Sequence, residues 1–293
     1  MVVRRQMDMA GAGGLIAFAL LQAFNQVVVK VTNDGISPVF AAGLRSVLAM
    51  IVVLGWVVLF RRKALHGAAQ SVGPGLLLGG LFAMEFVLLF VSLDLTSVSR
   101  ASVVFYTMPV WLALGAHLWL PQERLTRARA CGLGLALAGV IWALADPHSR
   151  NAGDWRGDAL ALGASLSWAG IALSLRLTRA SDLSAEAQLL WQLVVSALVL
   201  PLVGPLLGPV LRAPSAMHWA GLAFQGIVVV GLGFTLWLML LKRYRASDVA
   251  SFSFLSPVLA VAMGWAFLDE PVGLSFVGAL VLVAAGIGLI NRG

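Results

Sequence analysis

Nearly the whole chain consists of apolar runs about 20 residues long, broken by a few charged or turn-forming residues. A hydrocarbon layer about 30 Å thick takes about 20 apolar residues to cross as a helix. Within it every backbone N–H and C=O must be satisfied inside the protein, which leaves helices or closed barrels as the options. Runs of this length select helices. Composition agrees, with 60% hydrophobic and 11% charged residues against about a quarter charged in soluble domains. The runs read as ten spans, at roughly 11–31, 38–60, 72–94, 98–119, 127–145, 156–176, 186–207, 217–240, 247–268 and 272–290. Loops of a few residues join most of them, so neighbouring helices run antiparallel and no separate soluble domain fits.

Two stretches say nearly the same thing. Pro109 through Glu123 leads to Ala138-Gly139, and Pro257 through Glu270 leads to Ala285-Gly286 at closely matching spacing. Gly14 and Gly157 precede the first spans of the two halves, with Phe24 and Trp168 near matching depths. The chain therefore reads as a duplicated unit, 11–145 and 157–290, joined by a polar linker at 146–156. Five spans per unit is an odd number, so the second unit is inverted relative to the first, a plan shared by secondary transporters.

The net charge of +7 is spread over short loops, which argues against a nucleic-acid surface. With the N-terminus placed inside, Arg4, Arg5, Arg61, Arg62, Lys63, Arg124, Arg127, Arg129, Arg176, Arg179, Lys242, Arg243, Arg245 and Arg292 fall on the inner side. Only Lys30, Arg100, Arg150, Arg156 and Arg212 fall outside. This bias puts both termini in the cytoplasm and the linker outside. Arg4-Arg5 before an apolar run imitates a secretory signal, but the run continues well past a cleavable length and reads as a retained first span.

The passage Leu93–Pro109 (LDLTSVSRASVVFYTMP) followed by Gln122-Glu123, and Leu241–Pro257 (LKRYRASDVASFSFLSP) followed by Asp269-Glu270, resemble the two signatures of the EamA-type drug/metabolite transporter superfamily. The resemblance covers essentially the whole chain and is most similar to YddG-like amino-acid exporters. It implies an all-α integral membrane fold of ten helices, two inverted five-helix repeats around a central cavity. Helices 1, 3, 4, 6, 8 and 9 would line that cavity and helices 5 and 10 would pack at the periphery. The chain departs from the pattern at Leu95, where many members carry an aromatic residue, and at Glu85, whose counterpart in the second half is Gly233.

Candidate site residues follow from what is costly in a bilayer. Pro109 and Pro257 stand near the middle of their spans, where proline removes a hydrogen bond and frees the carbonyl four residues earlier, here Phe105 and Ser253. A kinked midplane site near Tyr106, Thr107, Ser253 and Ser256 is one reading; a packing kink is the other. Glu85 is the one acid deep inside a span, where a carboxylate costs about 3 kcal/mol on insertion scales. It can carry protons, neutralise a substrate ammonium, or serve as a structural acid paired with Arg45 or Lys30. Arg45, about eight residues into the second span, reads as a side chain snorkelling to the outer surface, with a substrate-carboxylate clamp as the alternative.

Asn25, Gln26, Ser165, Ser167 and Gln225 add hydrogen-bonding groups, and Gln22, Asn25, Gln26 and Val29 share one helical face. Singly they read as interhelical glue; as a set, by the resemblance, they converge on the cavity. Trp168 is an aromatic candidate for an apolar substrate, while Trp56, Trp119, Trp142, Trp155 and Trp219 read as an interface belt and His117 as an interfacial residue. Gly134/Ala138 on the fifth helix and Ala284/Gly288 on the tenth form small-xxx-small pairs that let helices approach closely and predict tight packing within the bundle.

Phosphate-binding GxxxxGK, HExxH and GxSxG motifs are absent, and the single cysteine, Cys131, cannot form a disulfide within the chain. Neither enzyme chemistry, cofactor nor metal is expected. The expected partners are a small-molecule substrate and the lipid bilayer, with a monomer or weak dimer as the assembly. The reading is an exporter of neutral or aromatic amino acids or similar amphipathic metabolites. Proton-coupled multidrug efflux is its rival within transport, and a lipid-handling protein or enzyme its rival outside it.

Overall fold

In the computed structural model, residues 8–65, 71–120, 125–145, 153–233, 236, 240, 244 and 255–292 are described. They are almost entirely helical. Helix α1 is Met9–Gly35, opened by Asp8, whose Oδ1 accepts from the Gly11 amide at 2.8 Å. Helix α2, Pro38–Phe60, begins on a proline whose missing N–H costs nothing at that position. Then come α3 (Val72–Leu95), α4 (Val98–Phe105), α5 (Met108–Trp119) and α6 (Arg127–Ala145). After the linker follow α7 (Trp155–Leu177), capped by Asp154, and α8 (Ala185–Val203), capped by Ser184. Helix α9 (Ala216–Ala223) continues as a π-helical segment, Phe224–Gly233. Helices α10 (Leu255–Leu268) and α11 (Leu274–Arg292) complete the order. Among the described residues, eight spans are long and apolar enough to cross a membrane, α4 and α5 counting as one, and α10 and α11 are shorter apolar helices.

The expected 98–119 span is thus two helices. Proline does not sit at the break but just after it. Tyr106 and Thr107 form the turn, and Pro109 occupies the first turn of α5, where its ring is compatible with helix geometry. The Thr107 hydroxyl donates to the Val104 carbonyl at 2.6 Å and the Val110 amide bonds the Thr107 carbonyl at 2.8 Å, so the broken backbone is re-satisfied locally. Pro257 is buried in α10, and Ser253 before it lies outside the described residues, as does Glu123.

Helix contacts recur in exchanged pairs. Helix α3 packs on α7 and α8; correspondingly, α1 packs on α9 and the π-helical segment packs on α1 and α2. Helix α1 packs on α10 as α4 and α5 pack on α7, while α2 meets α8, α4 meets α10 and α6 meets α11. The principal core gathers Ala23, Ala41, Phe90, Val104, Ala164 and Ala260 from both halves.

Helices α6 and α11 pack against each other through small residues, on a face other than that of the small-xxx-small pairs. A Cβ on Gly132 would come within 2.7 Å of the Gly286 carbonyl, one on Gly139 within 2.7 Å of the Ala279 carbonyl, and one on Gly286 within 2.6 Å of the Ala136 amide. Gly134 and Gly288, from the small-xxx-small pairs, would meet nothing within 4 Å. The contacting set follows the 4-then-3 spacing of one helical stripe, Gly132-Ala136-Gly139 against Ala279-Val283-Gly286. Because the obstacles at Gly286 are backbone atoms, Gly286→Val is expected to cost more than about 2 kcal/mol. Gly288→Val should stay within about 0.5 kcal/mol. Melting of the two purified variants in detergent measures the difference, and equal melting temperatures would reject this contact face.

Candidate functional site

One end of the bundle, called here the linker end, is tied together across the halves. Glu270, just beyond α10, reaches the start of α4. Its Oε1 accepts from the Val98 amide at 2.6 Å, and its Oε2 accepts from the Ser99 amide at 2.8 Å and the Ser99 hydroxyl at 2.6 Å. Ser97 Oγ takes the Arg100 amide at 3.1 Å. All the first-turn donors of α4 that lack a helical partner are therefore capped. Arg100 forms a buried ion pair with Asp158 of α7, which also accepts from the Thr96 hydroxyl at 3.2 Å. Lys30 Nζ donates to the carbonyls of Leu93 and Thr96 at 2.9 and 2.6 Å, capping the end of α3. Lys30 is thereby engaged with backbone and does not serve as a counter-ion to Glu85. Arg212 reaches Asp94 at 2.7 Å.

Deeper in the bundle, buried polar side chains form two groups. The first surrounds the break between α4 and α5. The Tyr106 side chain is approached by those of Gln26 on α1 and Ser256 on α10. The Thr107 hydroxyl lies 3.2 Å from Ser165 Oγ of α7 and accepts from Trp111 Nε1 at 3.0 Å. Trp168, half-buried, packs against the core that contains Tyr106. Asn25 is half-buried, and its Oδ1, like Gln26 Oε1, is buried without a hydrogen-bond partner. Removing the hub hydroxyl tests this group. Thr107→Val strips Trp111 and Ser165 of a partner, at an expected cost of about 1 kcal/mol, since interhelical hydrogen bonds in membranes average about 0.6 kcal/mol. Unfolding in detergent together with the tryptophan emission maximum reads both effects.

The second group lies among α1, α2, α3 and the π-helical segment. Arg45 is 2% exposed and does not snorkel. Its guanidinium sits over the Phe86 ring, 3.7 Å from the centroid, with Phe90 at 5.3 Å. Such desolvated cation–π contacts are worth about 2 kcal/mol, enough to hold the side chain inward. Glu85, 4% exposed, is close enough for its charge to interact with that of Arg45, but the two do not form an ion pair. Gln225, fully buried, donates to the Thr32 hydroxyl at 3.0 Å, and Asn33 donates to the Phe90 carbonyl at 2.8 Å. The π-helix that carries Gln225 approaches α2 through glycine. A Cβ on Gly226 would fall 3.1 Å from the Arg45 carbonyl, and one on Gly231 2.7 Å from Val52. Gly233, the counterpart of Glu85, faces Leu21, whose side-chain end would lie 3.1 Å from a Cβ placed there and would have to shift slightly to admit one.

The family model of the EamA-like transporter family matches residues 9–145 and again 155–292. The chain belongs to the EamA-like transporter family. It is similar to the uncharacterized transporter YoaV of Bacillus subtilis (strain 168), 25% identical over 94% of this chain and 94% of that one. A probable amino-acid metabolite efflux pump of Escherichia coli (strain K12) is 28% identical over 95% of this chain and 94% of its own length. An S-adenosylmethionine/S-adenosylhomocysteine transporter of Chlamydia muridarum is 27% identical over 86% and 83%. A crystal structure superposes with a TM-score of 0.67 at 21% identity, covering 95% of this chain and 96% of the other, a likeness of fold.

As an EamA-like protein the chain is a multi-span membrane transporter. Of the residues singled out from the sequence, Gln26, Tyr106 and Ser165 enter the first group and Glu85 and Gln225 the second. Ser167 does not join either, since its hydroxyl back-bonds to the Gly163 carbonyl of its own helix at 2.9 Å. Thr32 and Asn33 went unnoticed in the sequence, although 22, 25, 26, 29, 32 and 33 continue one 3–4 spaced stripe. A surface groove of about 310 Å³ between α10 and α11 is lined by Val258, Trp265, Val277 and other apolar side chains, and it offers nothing to orient a polar solute.

Proposed function

We propose that this EamA-like chain is an inner-membrane secondary transporter that exports neutral or aromatic amino acids, or similar amphipathic metabolites, by alternating access. In this reading, residues 11–145 and 157–290 are inverted five-helix repeats, the linker 146–156 is external and both termini are cytoplasmic. A path between the repeats is lined by Asn25, Gln26, Glu85, Tyr106, Ser165, Trp168, Gln225 and Ser253, with Pro109 and Pro257 as helix kinks.

The observation that carries the reading is the burial of polar side chains from both halves in an otherwise apolar bundle. Gln26, Glu85 and Gln225 each retain a buried oxygen without a hydrogen-bond partner. In a membrane such groups are expensive unless they serve a pathway or a solute. The exchanged helix pairings support the two-repeat plan. The efflux pump relative, whose name carries amino-acid metabolites, supports the substrate class.

Reconstituted into proteoliposomes, the protein should move labelled phenylalanine, methionine or threonine at least several-fold faster than empty liposomes. Ethidium export without movement of any amino acid would replace this reading with multidrug efflux.

A further inference from the structure

We propose that Arg45 and Glu85 form a two-point cradle for a zwitterion. The guanidinium takes the carboxylate of a free α-amino acid, and the Glu85 carboxylate takes its ammonium group. The proposal rests on the amino-acid reading above and names how that substrate is recognised.

Arg45 and Glu85 belong to α2 and α3, which pack on each other. Counted at about 1.5 Å of rise per residue, Arg45 lies about 10 Å and Glu85 about 15 Å from the linker end of its helix, so their depths are similar. Opposite charges so placed relieve one another most simply by direct contact. This fold does not let them. Arg45 Nε and Nη2 and Glu85 Oε2 are buried and have no hydrogen-bond partner. The Arg45 guanidinium meets the Phe86 ring, 3.7 Å from the centroid, in place of the carboxylate, and Nε and Nη2 remain as unpaired donors in the guanidinium plane. Planar donors of this kind match a carboxylate, to which arginine binds with two parallel hydrogen bonds.

A ligand carrying one charge would satisfy one residue and leave the other unpaired. An amino acid carries both charges on one carbon and satisfies the two together. Its ammonium has three protons to place, and the second group supplies acceptors besides Glu85. Gln225 Oε1 and Asn33 Oδ1 are both buried without partners. Gln225 adjoins Gly226, which abuts the Arg45 backbone, and Asn33 is bonded to Phe90. Phe82, Phe86 and Phe90 form a ladder of edge contacts with centroid spacings of 4.5 and 5.8 Å, an apolar wall suited to a neutral or aromatic side chain.

The test is competition against labelled phenylalanine in proteoliposomes holding the full chain. The competitors are phenylalanine, phenylalaninamide (no carboxylate) and N-acetylphenylalanine (no ammonium). The wild type should prefer phenylalanine over either analogue by about tenfold or more, because a site built to pair a group rejects ligands lacking it. Arg45→Gln should erase the preference over the amide and keep that over the N-acetyl compound; Glu85→Gln should do the reverse. Arg45→Lys and Glu85→Asp, which keep the charges, should retain both preferences at lower affinity, and they carry the test if the neutral variants do not fold. Equal competition by all three ligands in the wild type, or variants that weaken all three alike, would overturn the cradle while leaving amino-acid transport standing. Absence of any amino-acid movement in the wild type would remove the transport reading and the cradle with it.

Discussion

Glu270→Ala is expected to lower unfolding free energy by about 4 kcal/mol, since three hydrogen bonds to one buried carboxylate disappear and each such bond to a charged group is worth about 1.5–3 kcal/mol, less the desolvation of the acid itself. The loss is concentrated at the start of α4, where the Val98 and Ser99 amides would be left without acceptors inside the bundle. Glu270→Gln should be nearly as harmful, because its amide nitrogen would face a backbone donor. Glu270→Asp is one methylene too short to reach both amides. Ser99→Ala, which removes only the hydroxyl contact, should cost about 1 kcal/mol. Denaturant unfolding in detergent micelles ranks the four variants; a Glu270→Gln protein as stable as the wild type would show that the carboxylate is not the cap.

Arg100→Ala should cost about 3–5 kcal/mol, because Asp158 is then buried with the Thr96 hydroxyl as its remaining partner among the described residues. The cost belongs mainly to stranding a charge, so removing both charges should be milder than removing either. Arg100→Met with Asp158→Leu is expected to recover more than half of the loss. A double-mutant cycle on melting free energies measures this directly, and additive single and double costs would refute it. Arg100 follows Ser99 in the same helical turn, so its cycle should be run with Glu270 intact.

The spans were legible because a bilayer leaves a long apolar run few alternatives, and boundaries such as Pro38 and Leu95 fall close to where the runs begin and end. Depth along a span was far less informative about direction around it. Arg45, read as a snorkelling side chain from its distance to the outer boundary, is turned inward by rings four residues apart on another helix, Phe86 and Phe90. Nothing in the second span itself carries that information. The break before Pro109 was expected at the proline and is found at Tyr106-Thr107, because a threonine hydroxyl that can bond the backbone lets the chain turn ahead of the ring. For the fifth and tenth helices, small residues stand on more than one face. Choosing Gly132 over Gly134 required the partner's register.

The repeated glutamate presents the opposite case. Comparison of the halves located Glu270 at once but offered no task for it, since its partner is 171 residues away in sequence. A usable signal was present. Ser97 stands directly ahead of α4 and caps it, and Ser99, matched in place by Ser247 ten residues before the second proline, lies in the first turn that donates to Glu270. Thr32 and Asn33 were similarly within reach, as continuations of the Gln22–Val29 stripe. The π-helical turn at Phe224–Gly233 left only the spacing of Gly226, Gly231 and Gly233 as a trace, and glycine alone does not specify a helix type.

The glycine stripe shared by α6 and α11 bears on how the molecule is made. Helix α6 enters the bilayer long before its partner exists, displaying backbone that lipid chains cover poorly. Insertion and assembly are therefore separate events for this helix. Until α11 arrives, the first half waits in the membrane with an unfilled seam, and membrane quality control has that interval in which to act. Slow insertion of the second half, rather than any fault in the first, would then expose α6 to degradation.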